Sequence, residues 1–124
     1  MRPSLIEQPL FDVAQIALLR DALGEEELRA MLSELPDAAG QASHSIRTAI
    51  ASNDLQEARR LAHALKGVAG SFGAARLAAM AREFELEATS IASLEQRMPA
   101  LARAIEETLT ALPEVAGDSS GATA

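Results

Sequence analysis

The chain has 124 residues, of which 48% are hydrophobic, and it carries a formal net charge of −7. This length corresponds to one domain, and that hydrophobic share is enough to build one continuous core. The acidic balance disfavours a nucleic-acid partner, because binding to phosphate backbones needs a surplus of Lys and Arg on one face. The absence of cysteine excludes disulfide frameworks and thiolate zinc sites.

The sequence contains no pattern typical of export or of membrane insertion. Residues 1–8 lack the basic start and the unbroken apolar run of a signal peptide. No apolar stretch approaches the roughly 18 residues that indicate a membrane-spanning helix. We therefore expect a soluble, cytoplasmic protein without a membrane partner, in which residues 1–9 form an N-terminal extension.

The composition favours helix over sheet, because Ala, Leu, Glu and Arg dominate and aromatic residues make up only 2%. A short first helix is predicted to start after Asp12, whose carboxylate can cap it, and to run to about Leu23. Gly24 can then adopt the left-handed conformation that commonly ends a helix.

A long second helix is predicted from Glu25 to about Ile50, where apolar residues keep a spacing of three and four. Acidic residues at positions 25–27 lie in its first turn, where the helix dipole favours negative charge. Pro36 falls inside this segment, but the apolar pattern continues on both sides of it. We therefore expect one kinked helix rather than two helices.

The third predicted helix spans residues 54–72. Asn53 and Gln56 resemble a capping box at its start, and Gly73 is expected to end it. A fourth helix follows over residues 75–89.

The fifth predicted helix opens with a second capping-box pattern, Ser93 with Gln96, and runs to about Leu112. Pro99 is expected to mark its first turn. Residues 114–124 have no periodic pattern and are predicted to be a disordered tail.

These elements predict an all-α fold over residues 10–113. The four later helices are expected to form an antiparallel, up-down-up-down bundle, with the short first helix packed at one end. Because the apolar stripes can be buried against each other, we expect a monomer.

His63 is the centre of an unusual group of residues on the third predicted helix. A helical wheel at about 100° per residue places the apolar side chains of this helix opposite His63, so its imidazole is expected to face solvent. Five residues share its side of the helix, at offsets of three, four or seven: Arg59, Arg60, Lys66, Gly67 and Gly70.

The two glycines are informative, because each costs roughly 1 kcal/mol in an exposed helix interior. The missing side chain at Gly67 would let another macromolecule approach the imidazole, and Lys66 could neutralise a phosphoryl group on the ring. Histidine, with an unperturbed pKa of about 6.5, is largely neutral and nucleophilic at cytoplasmic pH. The residues alone leave open a second interpretation, a solvated surface histidine on a charged helix face.

The segment from Ala62 to Ala74, followed by Leu77 and Glu83-Phe84-Glu85, resembles the signature of histidine-containing phosphotransfer (Hpt) domains. In that signature a His-x-x-Lys-Gly core leads to a Gly-Ala turn, here at positions 73–74. The helical layout is similar to the family's over roughly residues 10–112.

The resemblance implies a carrier in a two-component phosphorelay, in which His63 accepts phosphoryl from a receiver-domain aspartate and passes it to another. Lys66 would match the family's phosphate-neutralising lysine, and Gly67 its access glycine. The partners implied are response-regulator receiver domains, with a hybrid histidine kinase as a further candidate. No cofactor is expected on this chain, since Mg²⁺ would be supplied by the receiver domain.

Glu85 departs from the family pattern, because several members carry a Gln at this position that orients the histidine or its phosphate. A carboxylate cannot donate a hydrogen bond unless it is protonated. Glu85 is therefore either a solvated surface acid or an acceptor for an imidazole proton that sets the orientation of the ring.

Two alternatives belong to other functional classes. The first is a non-catalytic helical interaction module that docks a partner without phosphorylation. The second is the phosphoacceptor part of a sensor kinase. Two features disfavour it: such kinases usually carry an acid at the position of Ala64, and the sequence lacks a glycine-rich nucleotide-binding segment. His44 is predicted to be an ordinary surface residue, and two distant histidines without cysteine make a metal site improbable.

Overall fold

The computed structural model describes residues 8–117, which form six α-helices and no strand. The helices are α1 (Val13–Leu23), α2 (Glu25–Leu32), α3 (Leu35–Ala51), α4 (Leu55–Ser71), α5 (Ala75–Leu86) and α6 (Ile91–Val115). The predicted all-α fold is confirmed. Residues 1–7 of the predicted extension and 118–124 of the predicted tail lie outside the described residues. Within the described residues, no helix is long and apolar enough to cross a bilayer.

Four helices surround one core: α3 packs on α4, α4 on α5, α5 on α6, and α6 again on α3. The largest fully buried side chains come from all four of them and from α2. These side chains are Leu28, Leu32, Leu35, Ile46, Leu65, Leu77, Phe84, Leu94, Leu101 and Thr108. Helices α4 and α5 run in opposite directions, because Arg59 near the start of α4 bonds to Ala88 beyond the end of α5. The up-down-up-down order of the whole bundle stays a prediction.

Helix α1 begins and ends where the sequence predicts. The Asp12 carboxylate accepts a hydrogen bond from the Gln15 backbone N–H at 3.1 Å, and Gly24 ends the helix with a φ of 89°. The helix lies across the end of the bundle, where the Asp12 N–H donates to the Gly73 carbonyl at 2.8 Å. At its other end, Arg20 donates to the Val115 carbonyl at 3.1 Å. Helix α1 thus joins the α4–α5 turn to the end of α6.

The predicted single kinked helix around Pro36 is wrong, because α2 ends at Leu32 and α3 begins at Leu35. Proline has no N–H to donate to the carbonyl four residues earlier, which here belongs to Leu32, and its ring crowds that carbonyl. The chain therefore makes a turn at Ser33 and Glu34. Pro36 lies in the first turn of α3, where its missing N–H costs nothing.

Both predicted capping boxes are misplaced. Helix α4 is capped by Asp54, whose carboxylate accepts from the Glu57 N–H at 3.1 Å, while Asn53 adopts a φ of 58° in the turn before it. Helix α6 is capped by Ser90, which accepts from the Ser93 N–H at 3.1 Å. Each true cap has its N–H partner three residues later, as the geometry of a first helical turn requires.

The last two helices also differ from the prediction in length. Helix α5 ends at Leu86, before the predicted end at Thr89, and residues 87–90 form the turn into α6. Pro99 lies well inside α6 rather than in its first turn, and the helix continues through Pro113 to Val115. Residues 114–117 of the predicted tail are therefore part of the described fold.

Candidate functional site

His63 lies in the middle of α4, on the side that faces solvent. The buried residues of this helix are Ala58, Ala62, Leu65 and Ala69. Because His63 projects away from this face, 64% of its side chain is exposed, as the wheel predicts. The imidazole is therefore accessible to another macromolecule while the helix beneath it is held by the core.

Glu85, on the neighbouring helix α5, contacts the imidazole. Its two carboxylate oxygens lie 3.0 and 3.2 Å from His63 Nδ1. An ionised carboxylate can only accept a hydrogen bond, so this contact assigns the ring proton to Nδ1. In that tautomer Nε2 carries the lone pair, and no side chain within residues 8–117 pairs with Nε2. Of the two roles that the sequence leaves open for Glu85, the geometry favours the acceptor.

Lys66 lies one turn after His63 and shares Glu85 with it. Its Nζ atom is 3.6 Å from Glu85 Oε1, and 34% of its side chain is exposed. Glu85 itself is 23% exposed. The structure thus brings an imidazole, an ammonium group and a carboxylate together, all partly open to solvent.

The two glycines of α4 leave bare backbone on the same side of the helix. A Cβ atom added at Gly67 or Gly70 would have no heavy atom within 4 Å apart from the helix's own backbone and chain neighbours. The Gly70 carbonyl accepts a hydrogen bond from Gln15 Nε2 at 2.7 Å, which ties α1 to this end of α4. Nothing in the sequence indicates that Gln15 contacts α4, because 55 residues separate it from Gly70.

Arg59 and Arg60 line the same concavity as His63, and each guanidinium group already has a partner of its own. Arg59 donates to the Ala88 carbonyl, in the turn after α5. Arg60 forms a two-point pair with Glu57, at 2.7 and 2.8 Å. The hydrogen bond from Arg60 holds the pKa of the Glu57 carboxyl below its usual range, and the same bond raises the pKa of Arg60. Of these three cations, Lys66 is therefore the one whose charged group lies closest to Glu85, the carboxylate that contacts the imidazole.

A shallow, open concavity of about 560 Å³ borders His63. Its lining residues are Asp54, Gln56, Glu57, Arg59, Arg60, His63 and Glu85. Small-molecule sites are usually enclosed, and this concavity is open. Its shape suits contact with a protein surface.

The second histidine lies on a different helix. His44 is exposed on α3, and no carboxylate or ammonium group pairs with its ring in the described part of the chain. Within residues 8–117, no group of three or more His, Cys, Asp or Glu residues is arranged to hold a metal ion.

Comparisons with known proteins identify the family to which this chain belongs. The family model for the Hpt domain matches residues 14–116. The chain belongs to the Hpt domain family. Its role is therefore histidine phosphotransfer in a phosphorelay.

Among solved structures, this Hpt domain is similar to the crystal structure of histidine-containing phosphotransfer protein B (HptB) from Pseudomonas aeruginosa PAO1. The two are 25% identical, with a TM-score of 0.70, and the match covers 90% of this chain and 94% of that one. No curated protein matches the sequence.

Proposed function

We propose that His63 is the phosphoacceptor of this Hpt domain and that the phosphoryl group is carried on Nε2. The observation that supports this most is the pairing of Nδ1 with Glu85 on an imidazole that is 64% exposed. The pairing leaves the lone pair on Nε2, the ring nitrogen that a partner protein can approach. A neutral imidazole is the nucleophilic form that phosphoryl transfer requires.

The transfer is an exchange of one bond for another. The Nε2 lone pair attacks the phosphorus of an aspartyl phosphate on a receiver domain, and the P–O bond to that aspartate breaks. An N–P bond forms, the aspartate leaves as a carboxylate, and the ring keeps its proton on Nδ1. Transfer to a second receiver domain is the same step in reverse, with the electron pair returning to Nε2.

Lys66 is the cation best placed to interact with the transferred phosphoryl group. Its ammonium group is one helical turn from His63 and, within residues 8–117, pairs with one carboxylate, that of Glu85, at 3.6 Å. It can therefore reorient towards phosphoryl oxygens as they arrive. We assign Lys66 to charge neutralisation.

Gly67 and Gly70 are assigned to partner access, since side chains there would stand in open space beside His63. Arg59 and Arg60 are assigned to the rim of the docking surface, because their guanidinium groups already bind Ala88 and Glu57. At the rim they can contact an acidic receiver surface without holding the phosphoryl group itself.

The partners proposed are response-regulator receiver domains and, upstream, a hybrid histidine kinase, with the Hpt domain acting as a cytoplasmic monomer. The domain needs no cofactor of its own in this scheme. Positive charge opposite Lys66 would come from Mg²⁺ bound to the receiver domain.

The proposal is tested by incubating the purified chain with a panel of phosphorylated receiver domains and Mg²⁺, then locating the label by mass spectrometry. Acid-labile, alkali-stable phosphate on His63 is the expected result. Stable binding of a receiver domain with no phosphate on His63 would favour the non-catalytic interaction module instead.

A further inference from the structure

The Glu85 carboxylate lies beside both groups that would handle the phosphoryl group, 3.0 Å from His63 Nδ1 and 3.6 Å from Lys66 Nζ. We propose that Glu85 shortens the lifetime of phosphohistidine, so that His63 passes a phosphoryl group on quickly rather than retaining it. This inference rests on the proposed function, which puts the phosphoryl group on Nε2 of His63.

The first step of the argument concerns the ring proton. When Nε2 of the Nδ1–H tautomer takes a phosphoryl group, both ring nitrogens are substituted and the ring becomes cationic. A carboxylate within hydrogen-bond distance favours that cation and retains the proton on Nδ1. The leaving group in the next transfer is then a neutral imidazole, which departs more readily than the imidazolate that loss of the Nδ1 proton would produce.

The second step concerns charge around the phosphoryl group. Glu85 already pairs with Lys66, so the lysine must exchange one anion for another when the phosphoryl group arrives. The Glu85 carboxylate then lies close to a second anion, and like charges in one site destabilise each other. Both steps act in the same direction, because each weakens the N–P bond relative to its products.

The other charged groups near His63 do not cancel this effect. Among the described residues, the charged groups that line the concavity at His63 or pair with Glu85 are Asp54, Glu57, Arg59, Arg60 and Lys66, on and before α4. Arg60 and Glu57 neutralise each other, and Arg59 is bound to a carbonyl. Glu85 is therefore the acid in direct contact with the imidazole, and Glu57 is an acid of the same surface that has its own partner.

The experiment compares wild type with Glu85→Gln, which keeps the shape of the side chain and removes its charge. Both proteins carry His44→Gln, so that label is confined to His63. Each is phosphorylated with the small donor potassium phosphoramidate, which requires no receiver domain. Loss of phosphate from His63 is then followed across a pH series. Glu106→Gln is the matched control, because Glu106 is an exposed acid of α6 that does not line the concavity at His63. Circular dichroism checks the fold of each variant.

We expect Glu85→Gln to lengthen the half-life of phosphohistidine at pH 7 by about threefold to tenfold, the size expected when one carboxylate contact to a cationic ring is lost at a partly exposed site. The pH at which the hydrolysis rate falls to half its maximum should also move down. Glu106→Gln should change neither value. An equal or shorter half-life in Glu85→Gln would overturn the inference.

A second measurement needs no variant at position 85. In ¹⁵N-labelled phosphorylated wild type, the ring nitrogen signals of His63 should show Nδ1 still protonated at pH 7, and an unprotonated Nδ1 would contradict the inference. Because phosphoramidate replaces the receiver domain as donor, these results do not depend on the outcome of the experiment that tests the proposed function. A protein that accepts this label but takes none from any receiver domain would refute the proposed function alone.

Discussion

Lys66 and His63 share one carboxylate, so the lysine lies within reach of the imidazole without contacting it directly. Its ammonium group is partly exposed and, in the described part of the chain, belongs to one surface ion pair. Such pairs contribute only about 0 to 1 kcal/mol to stability, so replacing Lys66 is expected to change the free energy of unfolding little.

Replacing Lys66 with alanine should slow phosphoryl transfer from a receiver domain while leaving the fold intact. Loss of one charge-assisted contact to the transferring group is expected to lower the rate by about tenfold to a thousandfold. The measurement is a transfer time course beside a thermal melt. A thermal midpoint that falls together with the transfer rate would instead indicate a structural role for Lys66.

Gly67 offers a test in which stability and function are expected to diverge. A Cβ at this position meets open space, so Gly67→Ala should raise the free energy of unfolding by up to about 1 kcal/mol through helix propensity. The same substitution should slow transfer, and Gly67→Leu should slow it far more, because the partner's approach is blocked in proportion to side-chain volume. Thermal midpoints and transfer rates for Gly, Ala and Leu supply the comparison, and equal rates across the three would refute the access role.

At the residue scale the sequence predicts which side chains are exposed, but not which of them pair. The 3.6-residue period is enough to place His63, Lys66 and the two glycines on one face. The direction of a long arginine side chain depends on acceptors elsewhere in the fold. Arg59 reaches a carbonyl 29 residues away, which no local pattern could indicate.

Helix α4 is held at its end by a tight turn. Gly73 adopts a φ of 73°, and a Cβ added there would lie 3.1 Å from Ile16 Cδ1 of α1. The turn therefore needs glycine for its backbone conformation and for its contact with α1.

Gly73→Ala should lower the free energy of unfolding by about 1 to 3 kcal/mol, because it combines left-handed strain with a close contact. Gly40→Ala is the control, since Gly40 lies inside α3 and a Cβ there has open space. It should keep or raise stability. Urea denaturation of both variants makes the measurement, and equal stability for the two would contradict this account of the turn.

At the element scale, helix existence and type were more predictable than helix ends. Apolar spacing continues across Pro36, because α2 and α3 contribute to the same core, so periodicity alone could not reveal the turn between them. Asn53 and Asp54 are adjacent and both suit an N-cap. The choice between them depends on the path of the preceding turn, where Asn53 takes the positive φ.

At the scale of the whole molecule, α1 makes long-range contacts that the sequence does not indicate. Amphipathic helices of this length predict a bundle, and the bundle forms. What the pattern cannot indicate is that α1 joins the α4–α5 turn, through Gly73, to the end of α6, through Val115. These contacts join residues far apart in sequence, so they follow from tertiary packing rather than local propensity.

Purified protein should not incorporate phosphate from ATP and Mg²⁺ alone. The sequence has no glycine-rich phosphate-binding loop, and the concavity at His63 is open rather than shaped to enclose a nucleotide. Incubation with labelled ATP, with and without a hybrid kinase, makes the comparison. Stoichiometric labelling without the kinase would identify an autophosphorylating enzyme.

The central claim, that His63 carries the phosphoryl group, is tested most directly by two matched variants. His63→Gln and His44→Gln each remove one exposed imidazole, and both should fold like wild type. With a phosphorylated receiver domain as donor, His44→Gln should take up phosphate as wild type does, and His63→Gln should take up none. Phosphate on the His63→Gln protein, or its loss from His44→Gln alone, would contradict the assignment.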